Sequence, residues 1–127
     1  MDIHRNEPPR EFKVGLAQDV LLKDCARIAL KADEQVTFKA GLKVEYDVAR
    51  KSWGFYATPS INGRLLRFGL RAALVKSQSS QYFVLLVEEG KEADFLDYVH
   101  RESLTVCGWL DDETLPQVEK ALGSCSQ

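Results

Sequence analysis

The alternation of apolar and polar residues between positions 26 and 48 constrains the fold more than any other feature of the chain. Ala26, Ile28 and Leu30 alternate with Arg27, Ala29 and Lys31. Val36, Phe38 and Ala40 alternate with Thr37 and Lys39, and Leu42, Val44, Tyr46 and Val48 with Lys43, Glu45 and Asp47. A period of two with charges on one side marks half-buried antiparallel strands, whose side chains point alternately to a core and to water. Ala32-Asp33-Glu34-Gln35 and the stretch at Gly41 supply turns, so the region predicts a three-stranded meander. Residues 12–22 are apolar in patches without a clean period, and residues 1–11 read as a disordered polar tail.

The alternation changes parity near residue 50. Apolar residues occupy even positions through Val48, but Trp53, Phe55 and Ala57 are odd. A strand cannot change faces without an additional residue, so Arg50-Lys51-Ser52 is predicted to hold a β-bulge or a break. Thr58-Pro59 has the composition of a helix start, with Ile61, Leu65 and Phe68 at helical spacing and Gly69 closing the helix. Leu70–Lys76 and Tyr82–Val87 read as strands, the second apolar on both sides and therefore expected to be central and covered twice. Lys91–Arg101 reads as a helix with Phe95, Leu96, Tyr98 and Val99 as its stripe, and Leu104–Leu110 as a strand. Asp112 is expected to cap a last helix with Leu115, Val118 and Leu122 as its stripe.

The resulting order, β-β-β-α-β-β-α-β-α, lacks the βαβ regularity of a doubly wound parallel sheet. It predicts an α+β fold, a single mixed, mainly antiparallel sheet with about three helices packed on it. One domain is expected over residues 12–123, followed by a short tail at 124–127. A chain of 127 residues can bury roughly two-thirds of its unfolded surface, so folding requires neither disulfide nor metal. Cys25, Cys107 and Cys125 form an odd set without C-x-x-C spacing, which points to free thiols and a cytoplasmic setting, with Cys107 a small buried hydrophobe. The longest uninterrupted apolar run, Tyr82–Val87, is far shorter than the ~20 residues of a membrane-spanning helix. The N-terminus carries no apolar signal segment, so no membrane partner is expected.

Net charge is −2, but its distribution is uneven. Residues 48–87 contain no Asp or Glu and six bases, whereas residues 88–127 contain ten acids and three bases. Exposed ion pairs stabilise by only ~0–1 kcal/mol each, so stability alone explains such segregation poorly. The segment 50–71 therefore becomes the candidate binding surface. Arg50, Lys51 and Arg64 supply charge, Trp53 and Tyr56 supply ring surfaces, and Ser60 and Asn62 supply polar groups beside the expected helix start, where unpaired N–H groups attract anions. The competing reading makes Trp53 and Phe55 core, Thr58 a cap and the bases a solvated face. Complementary charge blocks also make a homodimer a natural partner arrangement.

Lys51-Ser52-Trp53-Gly54-Phe55-Tyr56 resembles the ribonucleoprotein-1 box of RNA-recognition and cold-shock folds. The match covers Lys51, Trp53, Gly54 and Phe55; Ser52 replaces the family's glycine and Tyr56 stands where an aliphatic residue is usual. The resemblance implies stacking of single-stranded bases. A sequence pI near 5.7 opposes tight binding to a polyanion, because phosphate neutralisation supplies most of that affinity.

Catalysis has little support in the sequence. Asp111-Asp112-Glu113 has the oxygen ligands Mg²⁺ favours, but the same residues suit a helix start. His4 lies in the expected tail, and His100 adjoins the stripe of a helix as a solvent-facing residue. No nucleophile elbow, zinc-protease, P-loop or dinucleotide motif is present. The expectation is a small binding or accessory protein without cofactor or metal, contacting an anionic ligand or an acidic protein partner. The alternatives are an enzyme acting on a phosphorylated or carboxylated metabolite through the same bases, and a single-stranded nucleic-acid binder.

Overall fold

The computed structural model of the chain describes residues 1–123; residues 124–127, and with them the expected short tail and Cys125, lie outside the described residues. The elements are β1 (Asp2–Val14), β2 (Val20–Ala29), β3 (Gln35–Ala40), β4 (Val44–Lys51), β5 (Gly54–Ala57), α1 (Arg64–Arg67), β6 (Leu70–Lys76), β7 (Tyr82–Glu88), α2 (Glu92–Arg101), β8 (Thr105–Leu110) and α3 (Leu115–Ala121). The α+β class and the three helices agree with the sequence reading, and β1–β2, β4–β5, β6–β7 and β6–β8 all pair antiparallel. The strands are shared among three sheets, ordered β1-β2, β3-β4-β5 and β7-β6-β8. The meander expected over residues 26–48 is divided: residues 26–29 belong to β2, which pairs with β1, and the three-stranded sheet is β3-β4-β5, ending just before Pro59, which cannot continue a ladder.

Asp2–Val14, read from sequence as a polar tail and an ambiguous stretch, is the longest strand. Its pattern is hidden by an irregularity between Arg5 and Arg10, where four residues of β1 lie across from Cys25 alone. Residues 12–123, read as one domain, fall into two compact units. The first comprises Met1–Phe38 and Asp47–Thr58; the second comprises Lys39–Tyr46 and the residues from Pro59 onward.

The second unit holds the apolar core. β6 is the middle strand of its sheet and is covered on both faces. Ala73 and Val75 face one way, with Val87 of β7, under Phe95 and Val99 of α2. Leu70 and Ala72 face the other way, against Leu65 of α1. All buried Leu, Ala, Val and Phe side chains among the described residues belong to these two clusters. β7, expected to be central, is an edge strand instead, and Tyr82, Phe83 and Val84 are exposed. β8 adds to β6 rather than to β7, so the double cover falls on β6.

Three local expectations are corrected in this unit. Cys107 is exposed, not buried: Val106 pairs with Val75 and Gly108 with Leu74, leaving Cys107 as a bulge residue without a partner. The bulge brings Val106 and Trp109 onto the same core face despite their odd separation. Thr58 does not cap α1. Its N–H goes to the Asp47 carbonyl at 3.1 Å within the first unit, and α1 begins only at Arg64, after Gly63. The start of α3 is organised by Asp111 rather than Asp112. Asp111 Oδ1 accepts the N–H groups of Glu113 (3.0 Å) and Thr114 (3.1 Å). The Thr114 N–H, above all, holds the Asp111 carboxyl below its ordinary pKa. Gly69 does end α1 as expected, at φ +78°, with its N–H on the Leu66 carbonyl at 3.0 Å.

The first unit is built differently. It contains the β1–β2 ribbon and the β4–β5 hairpin, and its only buried residue is Asp47, 4% exposed. Burying a carboxylate requires hydrogen-bond donors, and Thr37 supplies one, its hydroxyl donating to Asp47 Oδ1 at 2.7 Å.

Candidate interaction site

The parity change near residue 50 is a break. Lys51 pairs with Gly54, so Ser52 and Trp53 form a two-residue turn between β4 and β5. This places Trp53 at the tip of a hairpin. The ribonucleoprotein-1-like hexapeptide thus straddles a turn instead of lying along one strand, and its aromatic residues do not share one strand face.

The aromatics of this hairpin are not core. Trp53 is 72% exposed, Phe55 66% and Tyr56 50%, which overturns the reading of Trp53 and Phe55 as interior residues. Arg50 faces Phe55 across the strand pair, and its guanidinium lies 5.3 Å from the centroid of that ring. The same group donates to the carbonyls of Lys51 and, at 2.9 Å, Gly54. Arg50 therefore braces the turn while keeping its charge beside an exposed ring. Its backbone is held as well, with the Arg50 N–H on the Glu34 carbonyl (2.9 Å) and the Asp33 N–H on the Arg50 carbonyl (2.6 Å). Lys51 forms an exposed ion pair with Asp33. A carboxylate from outside the acid-free segment thus reaches its base.

Glu34 completes this end of the first unit. Its carboxylate accepts the Lys31 N–H at 2.7 Å and the terminal amine at 3.2 Å. These two hydrogen bonds, the Lys31 N–H first, hold its pKa below the ordinary carboxylate value.

The other sequence candidates lie in the second unit, where their polar groups serve local structure. Ser60 Oγ accepts the Arg64 N–H at 3.0 Å, and Asn62 Nδ2 donates to Asp112 Oδ1 at 2.9 Å. The Arg64 guanidinium lies 5.6 Å from the Phe68 ring centroid. α1 is four residues long, too short to gather a useful dipole at its N-terminus. The seven candidates thus form two groups: Arg50, Lys51, Trp53 and Tyr56 on the hairpin, and Ser60, Asn62 and Arg64 around α1.

Arg71 has a role the sequence reading did not assign. Its guanidinium stacks 4.0 Å from the Trp109 ring centroid and pairs with Glu92 at 3.3 Å. Glu92 also accepts the Gly90 N–H at 2.8 Å, and its pKa is lowered, chiefly by its own backbone N–H and then by Arg71. Trp109 in turn meets Phe95 edge-on, with centroids 5.6 Å apart. A shallow cavity of about 420 Å³ beside Arg71 is also lined by Glu89 and Glu92, whose charges oppose an anion there. The wide sequence separation of Arg71, Glu92 and Trp109 hides this cluster from any local pattern.

Among the described residues, no group of three or more His, Cys, Asp or Glu side chains is placed to hold a metal ion. No helix among them is long and apolar enough to cross a membrane. Comparison of the chain with protein-family models, with curated proteins and with solved structures gives no match.

Proposed function

We propose that the chain is a binding module, and that the β4–β5 hairpin is its contact surface for an acidic segment of a protein partner. The observation that carries this reading is the exposure of Trp53, Phe55 and Tyr56 within four consecutive residues. Monomeric proteins seldom leave clustered large apolar groups in water without a use for them. Trp, Tyr and Arg are also the residues that dominate binding energy at protein interfaces. Arg50 and Lys51 add positive charge at the hairpin base. The exposed Lys51–Asp33 pair contributes at most ~1 kcal/mol, so an incoming carboxylate displaces it at little cost.

The enzyme alternative lacks a comparable observation. Asp111, the acid nearest in kind to what such a mechanism needs, is engaged by the backbone of Glu113 and Thr114.

The test is an array of acidic peptides, with basic peptides and an oligothymidylate as controls, read by Trp53 emission in a Trp109→Phe background. Acidic peptides that bind are expected to weaken at least tenfold against Trp53→Ala and against Arg50→Ala, assayed by anisotropy of labelled peptide; tenfold corresponds to ~1.4 kcal/mol. A silent array overturns the reading. Binding of the oligothymidylate alone, falling steeply with salt, transfers the hairpin to the nucleic-acid alternative.

A further inference from the structure

The β1–β2 ribbon is patterned for burial that its own unit does not supply. Residues directly opposite one another in an antiparallel pair project from the same face. The register pairs Ile3 with Ile28 at one end of the ribbon, and Phe12 with Leu22 and Val14 with Val20 at the other. Following the alternation along β2, all of these lie on one face. Between the two apolar ends, on that same face, lie Arg5, opposite Ala26, and the ion pair of Arg10 with Asp24 at 3.3 Å. Arg10 also covers the Phe12 ring at 4.8 Å. The opposite face carries mostly polar residues, Asp2, His4, Glu11, Lys13, Lys23 and Arg27, with Leu21 and Ala29 among them. The ribbon is thus amphipathic, yet Ile3, Phe12, Leu22 and Ile28 are all exposed. A lone two-stranded ribbon is marginally stable in water, and one with an apolar face gains stability chiefly by covering it.

We propose that this face is the contact of a symmetric homodimer, each ribbon lying on the ribbon of a second copy. A second copy fits because the face is complementary to itself. Along β2 the inward positions read Val20, Leu22, Asp24, Ala26, Ile28, apolar on both sides of a central charge. A two-fold axis running along the ribbon between its strands lays β2 of one copy over β1 of the second, so Leu22 meets Phe12, Val20 meets Val14 and Ile28 meets Ile3. The same axis places Arg10 of each copy beside Asp24 of the other, giving four charges of alternating sign. Such isologous contact is the commonest route to a closed assembly. A partner of uniform charge would instead set one member of the Arg10–Asp24 pair against a like charge. This contact lies on the ribbon and is independent of the hairpin surface proposed above.

Sedimentation velocity across the micromolar range tests the proposal. The wild-type chain is expected to pass from the mass of one chain to that of two as concentration rises, and Leu22→Glu to raise the dissociation constant at least tenfold. Arg10→Asp and Asp24→Arg are each expected to be monomeric alone and to form a dimer when mixed in equal amounts, because only the mixture restores opposite charges at the centre. The substituted positions lie outside both core clusters, and circular dichroism checks that each variant is folded. A wild-type chain that stays monomeric throughout overturns the proposal. So does a dimer indifferent to Leu22→Glu, or a mixture no heavier than its components. Should Leu22→Glu fail to fold, the mixing experiment decides.

Discussion

The sheet around β6 and the ribbon of β1 and β2 solve the same problem in opposite ways. Both are antiparallel, and both carry strands with an apolar face. In the second unit β6 is covered twice, by α2 on one side and by α1 with Val44, Tyr46 and Ile61 on the other. The first unit contains no helix among the described residues, and its only buried side chain is a carboxylate. Strand pairing by itself satisfies backbone groups but removes little apolar surface from water; a covering layer does that. One half of the chain therefore stands on its own interior. The other offers surface to something else.

The comparison breaks first on core truncation. Phe95→Ala removes a buried ring that meets Trp109 edge-on, and is expected to cost about 3–5 kcal/mol. Leu22→Ala, measured at dilution where the chain is monomeric, is expected to cost under about 0.5 kcal/mol. Urea unfolding followed by Trp109 emission in a Trp53→Phe background, with circular dichroism for the ribbon, gives both numbers. Equal costs would abolish the distinction drawn above.

A smaller effect asks how far tight packing in the second unit extends into its connections. A Cβ at Gly63 falls 2.5 Å from Ser60 Oγ, the atom that accepts the Arg64 N–H. Gly63→Ala is expected to destabilise by about 1–2 kcal/mol, the scale of one lost hydrogen bond plus local adjustment. Adding Ser60→Ala to that variant should cost less than Ser60→Ala alone, since the colliding hydroxyl and its bond are already compromised. Strict additivity would mean the two groups do not meet.

The smallest effect is pH dependence. Asp111 and Glu92 in the second unit both titrate below the ordinary carboxylate range. A folded-state pKa below the unfolded one favours the folded state while the group is ionised. That contribution is present at neutral pH and fades as the pH drops through about 4, where unfolded carboxylates protonate, and on toward the depressed folded values. The thermal midpoint of the second unit should fall on acidification, less steeply in Asp111→Asn and Glu92→Gln. Both carboxylates are only half-buried, so a flat profile in wild type would show that solvent screening removes the effect.

Much of the strand content was legible because burial on one face writes a period of two into the chain. The parity change near residue 50 was legible as a discontinuity, and it proved to be the Ser52–Trp53 turn. The bulge at Cys107 was not, because one extra residue in a six-residue strand leaves too few positions to show a phase shift. β1 was hidden for a related reason, since its irregularity between Arg5 and Arg10 interrupts the alternation halfway. Of the candidate site, the concentration of bases and rings in segment 50–71 was visible. Its division between a hairpin tip and the surroundings of α1 was not, because it depends on which contacts each stretch makes after the turn.

Local chemistry alone determined the α+β class, the limits of β6, and the turn that raises Trp53, since periodicity and Gly69 act within a few residues. Tertiary structure decided which strand became central, which aromatics were left in water, and that Ile3, Phe12, Leu22 and Ile28 of the ribbon stay exposed. Those outcomes depend on pairing between distant residues, such as Ala73 with both Leu85 and Trp109. Burial is a property of neighbours in space, and no short window of sequence contains them.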